Sequence, residues 1–144
     1  QGLKPLEGVG AFLCRTREHP YSVRVKGNVA GYFGINSGGV KFYLDGDTDK
    51  FCGSLACNSK FYISGNVSRV AGFGSSDCLF DLRGKVDGLH LTNAKGSTVL
   101  ISDPESFKRI SEYHTKTPHV EALEYNGVYF VHPDNTKELL VVEK

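Results

Sequence analysis

The amino-acid sequence predicts a single mainly β domain over residues 1–144, an antiparallel sandwich or barrel with one short helix near 103–115 and a C-terminal β-hairpin. Three observations predict this fold class. Apolar and polar residues alternate with a period of two along much of the chain, as they do in half-buried strands. Gly, Asn and Asp interrupt the alternation at intervals of roughly 8 to 12 residues, which is typical of short strands joined by turns. A chain of 144 residues also suits one domain with one core.

The alternation predicts nine strands before the helix, over residues 10–16, 21–27, 31–35, 40–44, 60–65, 68–73, 78–82, 88–91 and 98–102. Two more strands are expected after the helix. Glycine adopts positive φ without steric cost, so the pairs Asp45-Gly46, Asp87-Gly88, Lys95-Gly96 and Asn126-Gly127 predict turns. We read no internal repeat and no Pro- or Ser-rich linker, and therefore place no domain boundary.

The helix is predicted from a capping pattern. Ser102 with Glu105 three residues later forms a capping box, and Pro104 is tolerated in the first helical turn. An apolar stripe should follow at Phe107, Ile110 and either Tyr113 or His114, because these residues are spaced three and four apart. Thr117-Pro118 is expected to end the helix.

Composition indicates a folded protein of an oxidising compartment. The chain has no methionine, which predicts that a longer precursor was processed, and it has four cysteines, which permit two disulfides. Asn66-Val67-Ser68 is an N-glycosylation sequon that a secretory route would use. We therefore expect a secreted or otherwise extracellular protein. The apolar runs are too short for a membrane-spanning helix, and four reduced, buried thiols remain the alternative to disulfides.

The positive charge is concentrated in the first third of the chain. Residues 1–41 contain six Lys and Arg against two acids, whereas residues 42–144 contain eleven against fourteen. If the apolar residues of two successive strands face the core, Arg15, Arg17, Arg24 and Lys26 line one exposed basic ribbon. Such a ribbon predicts binding of phosphate, sulfate or an acidic surface, and a charged edge strand that blocks aggregation is the alternative.

A second candidate site comes from the end of the chain. A two-residue Asn126-Gly127 turn would place Glu121 opposite His132, with His119 on the same face. Two imidazoles and a carboxylate within reach of one another are suited to general acid/base chemistry, since histidine titrates near neutral pH. An ordinary polar pair across a sheet is the plainer interpretation.

Neither a metal nor a cofactor is expected. The run Asp45-Gly46-Asp47-Thr48-Asp49 begins like a calcium loop, but Lys50 and Ala56 stand where such a loop needs Gly and Glu. The four cysteines have irregular spacing for a zinc site.

Two classes of function follow. The first is a β-scaffold recognition module that binds a protein, a glycan or an anionic partner through loops and the basic strands. The chain has no tryptophan for a sugar platform, although exposed tyrosines such as Tyr43 or Tyr62 can substitute. The second is a small hydrolase or nuclease that uses His119, Glu121 and His132 on a phosphodiester, with nucleic acid as a possible partner. The sequence does not decide whether the protein is an enzyme.

Overall fold

The computed structural model describes residues 6–14, 22–68, 72–116, 123 and 125–141, and these form a parallel β-solenoid of stacked coils. Six parallel strands make one face: Ser22–Lys26 (β1), Lys41–Asp45 (β2), Lys60–Ile63 (β3), Leu79–Leu82 (β4), Thr98–Ile101 (β5) and Gly127–Val131 (β6). Helix α1 (Pro104–Lys116) follows β5, and a final strand, Lys137–Leu139 (β7), pairs antiparallel with β6.

From β1 to β5, successive coils stack with a constant offset along the sequence. Ser22 pairs with Lys41, and Lys41 in turn pairs with Lys60. Equivalent residues of adjacent coils are therefore 19 positions apart, as Asn28 and Asp47 are. Two further lines of backbone pairing run along the solenoid with the same offset, one through Val29, Thr48, Val67 and Val86 and the other through Gly38, Cys57, Ser76 and Lys95. Each coil bends at corners between three lines of pairing and returns to the sheet one level further along the axis.

The interior is filled by side chains from equivalent positions of successive coils. Phe42, Phe61 and Phe80 are fully buried and stack in one column, with ring centroids 4.8 and 5.0 Å apart. Gly53 must lack a side chain here, because it adopts φ +65° and a Cβ would collide with the ring of Phe80. The aliphatic residues of the same strands form a second inward column, so the core runs along the axis.

This architecture corrects the predicted fold class. The protein is mainly β with one short helix, as expected, but the antiparallel sandwich or barrel is wrong because β1 to β6 all run parallel. Five predicted strands, 21–27, 40–44, 60–65, 78–82 and 98–102, correspond to β1 to β5. Residues 31–35 and 88–91 are not strands. They form corners of the coils, which bend the chain without reversing it. The predicted strands 10–16 and 68–73 lie partly outside the described residues.

The helix is confirmed, and its cap lies one residue later than predicted. The Asp103 carboxylate, rather than the Ser102 hydroxyl, accepts hydrogen bonds from the Ser106 N–H (3.0 Å) and the Ser106 Oγ (2.6 Å). Ile110 packs into the core from the buried face of α1. Thr117 and Pro118 lie outside the described residues.

The C-terminal hairpin exists, but the predicted turn and register are wrong. Asn126 accepts a hydrogen bond from the Ser97 N–H and donates one to the Ala94 carbonyl, both at 2.9 Å, so it ties its coil to the preceding one. Gly127 then begins β6, which pairs with β5 on one side and β7 on the other. The chain reverses instead within residues 132–136.

The prediction of two disulfides is also wrong, since all four cysteines are free thiols. Cys52 and Cys78 are buried, whereas Cys14 and Cys57 are exposed. Gly38 pairs with both exposed cysteines from the coil between them. Cys14 and Cys57 are therefore two coil spacings apart, about 9 to 10 Å, which is too far for a disulfide between them.

No helix within the described residues is long and apolar enough to cross a membrane.

Candidate functional site

The outer face of the parallel sheet carries the polar half of each alternating strand. In β2, Phe42 and Leu44 point into the core, so Lys41, Tyr43 and Asp45 point outward. The parallel register between neighbouring strands stacks equivalent outward positions in rows across the sheet. The central row contains Arg24, Tyr43, Tyr62, Asp81, Leu100 and Tyr129.

Two tyrosines form the middle of this face. Tyr43 and Tyr62 stack with their ring centroids 4.9 Å apart and an interplanar angle of 11°. The Arg24 guanidinium lies 4.2 Å from the centroid of the Tyr43 ring, in a cation–π contact. The Tyr43 ring is therefore covered on both faces, by Arg24 and by Tyr62.

One end of the tyrosine stack meets a salt bridge. Arg83 donates to both carboxylate oxygens of Asp81, at 2.9 and 3.1 Å, and the Asp81 side chain is only 12% exposed. Burial raises the pKa of the Tyr62 phenol, and the neighbouring Tyr43 and the Asp81 carboxylate raise it further. The Tyr62 hydroxyl therefore keeps its proton at neutral pH and can donate it in a hydrogen bond.

These side chains line a groove of about 680 Å³. It extends from Arg24 and Lys26 on β1 across Tyr43 and Tyr62 to Arg83 just beyond β4. We call this feature the sheet-face groove. It crosses the strands, so its long direction follows the solenoid axis.

Four cations outside the ion pairs of the described residues lie on this face of the sheet: Arg24 and Lys26 line the groove, and Lys41 and Lys60 lie one outward position before Tyr43 and Tyr62 on β2 and β3. Lys41 and Lys60 are direct register partners and both are exposed, which brings like charges close together. The part of the chain that the structure describes contains three ion pairs, and none of them includes Lys41, Lys60, Arg24 or Lys26. Asp45 is the register partner of Lys26 and accepts a hydrogen bond from Ser64 Oγ at 3.0 Å. Positive charge thus exceeds negative charge on this face.

The structure brings two of the four predicted basic residues into this site. Arg24 and Lys26 are exposed on β1, on the opposite side from the half-buried Val23 and Val25, as the alternation predicted. Arg15 and Arg17 lie outside the described residues.

The predicted acid/base cluster is described only at His132. His119 and Glu121 lie outside the described residues. His132 Nε2 lies 3.3 Å from Glu138 on β7, and its ring packs edge-on against Phe130. It lines a separate cavity of about 350 Å³ that shares Arg83 with the sheet-face groove.

Sequence reasoning missed Lys41, Lys60, Asp81 and Arg83 as members of one site. The signal that could have found them is the constant offset between outward positions of successive coils, which places Lys60 beside Lys41.

Across residues 6–14, 22–68, 72–116, 123 and 125–141, no group of three or more His, Cys, Asp or Glu side chains could hold a metal ion. The acids of the calcium-like run contact neighbouring coils instead. Asp47 accepts a hydrogen bond from the Asn66 N–H, and Asp49 accepts one from Ser68 Oγ, both at 2.7 Å.

The fold and the site together define a parallel β-solenoid with a cationic groove on its sheet face. Comparison with protein-family models, with curated proteins and with solved structures finds no match to this chain.

Proposed function

We propose that the protein is a recognition module that binds an anionic partner in the sheet-face groove. The observation that carries this proposal is the set of four cations that join none of the ion pairs among the described residues, Arg24, Lys26, Lys41 and Lys60, on the same sheet face as the paired tyrosines. Lys41 and Lys60 repel each other when nothing is bound, and an anion between or above them relieves that repulsion.

The rigidity of the sheet supports recognition. Each cation extends from a strand that is hydrogen-bonded to its neighbours in register, and the buried phenylalanine column fixes the strands from below. Because the strands are already fixed, only the side chains have to be ordered when a partner binds.

The test is binding of a polyanion, dextran sulfate, measured by titration calorimetry over a range of salt concentrations. The variant R24Q/K26Q/K41Q/K60Q should bind at least about tenfold more weakly. Its binding should also depend less on salt, because salt screens the attraction between exposed charges and the variant has four fewer of them. The control K85Q/K95Q/K108Q/K116Q loses the same charge at exposed positions away from the six parallel strands. Equal weakening in both variants would show that net charge, and not the groove, binds the polymer.

A further inference from the structure

We propose that the anionic partner is a linear acidic glycan, a polysaccharide with carboxylates on its sugars, lying in the sheet-face groove along the solenoid axis. This inference rests on the proposed function and adds the chemical class of the ligand. Four features of the groove carry it: its mixture of hydrogen-bonding groups, its own carboxylates, the covered faces of its tyrosines, and its direction across the strands.

The groove offers donors and acceptors side by side. The Tyr43 and Tyr62 hydroxyls can do both, Arg24 and Lys26 donate, and the Asp45 carboxylate accepts. Sugar hydroxyls also donate and accept, so a polyol satisfies such a lining whereas a ligand with acceptors alone does not. The cations outside ion pairs then select a sugar chain that carries acid groups.

The groove is not a uniformly positive channel. Asp45 and Asp81 lie on its lining among the cations, and of these two only Asp81 is neutralised by an ion pair of the described residues, with Arg83. A polymer with a charge on every unit and few hydroxyls, such as a nucleic acid, meets repulsion at Asp45. A glycan presents hydroxyls between its carboxylates and can place a hydroxyl there.

The tyrosines are arranged for hydrogen bonding through their hydroxyls. Proteins that bind single-stranded nucleic acids stack bases on open aromatic faces. Both faces of the Tyr43 ring are covered, by Arg24 at 4.2 Å and by Tyr62 at 4.9 Å. One face of Tyr62 is covered by Tyr43 in the same contact. This stack therefore offers a nucleic acid little surface for base stacking.

The direction of the groove fits a chain that crosses the strands. Arg24 on β1 and Arg83 beyond β4 belong to levels three spacings apart, a distance of about 14 Å along the axis. An extended peptide would instead add to an edge of the sheet, where backbone groups are open. On the face of the sheet a ligand contacts side chains and not open backbone groups, and side chains are sufficient to bind a glycan.

The experiment compares four immobilised polymers: polygalacturonate, the same polymer with its carboxylates reduced to alcohols, poly-uridylate and dextran sulfate. The whole chain should bind polygalacturonate and lose at least about tenfold in affinity for the reduced polymer, because charge-assisted contacts disappear. Y43F/Y62F, which removes only two hydroxyls, should weaken binding to polygalacturonate by roughly tenfold. It should leave binding to dextran sulfate within about twofold, because charge dominates that interaction.

Each outcome distinguishes this inference from the proposed function. Binding of poly-uridylate or dextran sulfate that depends on Arg24 and Lys26, without binding of polygalacturonate, overturns the acidic glycan and leaves the proposed function standing. Equal binding of the reduced polymer overturns the requirement for carboxylates. No binding of any polymer overturns both proposals. Unchanged thermal unfolding of Y43F/Y62F shows that the hydroxyls act on the ligand and not on the fold.

Discussion

The backbone N–H of Asp47 donates a 2.9 Å hydrogen bond to the side-chain oxygen of Asn28, and these two residues lie 19 positions apart on adjacent coils. The contact repeats along the axis. Asp47 accepts from the Asn66 N–H at 2.7 Å, and Asn66 accepts from the Lys85 N–H at 2.9 Å. This Asx ladder fixes the corner that follows the sheet, and so fixes the spacing of the coils that carry the sheet-face groove.

Replacing Asp47 by alanine should destabilise the protein by about 1 kcal/mol, because the Asn66 N–H then exchanges a protein partner for water. Chemical denaturation of D47A against wild type measures this cost. E112A is the control, since Glu112 is an exposed helix residue away from the ladder. A D47A midpoint equal to that of E112A would contradict a stabilising ladder.

Adding one methyl group at Gly53 should cost about 2 to 4 kcal/mol, because strain and overpacking add together. The residue has φ +65°, and its Cβ would collide with the Phe80 ring. Gly38 is the matched control, because its φ is not positive and a Cβ there would lie 3.6 Å from Cys14 Sγ, an ordinary contact. Thermal unfolding should show a large drop for G53A and little change for G38A, and similar drops would refute the packing argument.

The thiols should react in two classes. Cys14 and Cys57 are exposed, whereas burial raises the pKa of the Cys52 and Cys78 thiols and hides them from reagents. Iodoacetamide should therefore add two groups to the native protein and four after unfolding, as measured by intact mass. Two groups missing from the unfolded, unreduced protein would reveal a disulfide and contradict the structure.

The cap of α1 should make stability depend on pH in the acid range. Hydrogen bonding from Ser106 lowers the pKa of Asp103 below its ordinary value of 3.8. A group whose pKa is lower in the folded state stabilises the protein above its unfolded pKa, and this stabilisation is lost as the pH falls through the folded pKa. D103A should cost about 1 kcal/mol at pH 7.

That cost should shrink as the pH falls from 3.8 through the lower pKa of the folded state, where the folded wild type also protonates Asp103. Urea unfolding of both proteins at a series of pH values measures the difference. D103N is the second variant, because asparagine keeps the capping acceptor without the charge and should lose less stability than D103A. A D103A cost that does not change with pH would show that the charge of Asp103 contributes nothing.

Much of the local structure could be predicted from the sequence because the alternation that marks a strand lies within a few consecutive residues. The alternation of Lys41, Phe42 and Tyr43 identifies a half-buried strand in either a parallel or an antiparallel sheet. Pairing direction is set by residues far apart in the chain, and the period-two signal carries no information about it. Only the repeat along the sequence indicates parallel stacking, and sequence reasoning missed that repeat.

The repeat was missed because the coils share physical roles more than residue identities. The buried column changes from Phe80 to Val99, and the ladder position changes from Asn66 to Lys85. Between β5 and β6 the offset grows to 29 positions, as between Ser97 and Asn126, since α1 lies within that coil. Arg24 and Lys26 could be grouped from the sequence because they lie on one strand, whereas Lys41 and Lys60 come to the same sheet face only through stacking of the coils.

The antiparallel strand at the end of the sheet also has a consequence for how copies of this chain behave together. A stack of equivalent coils has no inherent last member, because each parallel edge is a template for another coil and also for a neighbouring molecule. β7 covers the β6 edge with a strand of opposite direction, and its three residues are all exposed. A further coil that docks there would have to pair with a short, reversed strand. The hairpin therefore blocks parallel pairing at the β6 edge, and a variant that lacks β7 would leave that edge open.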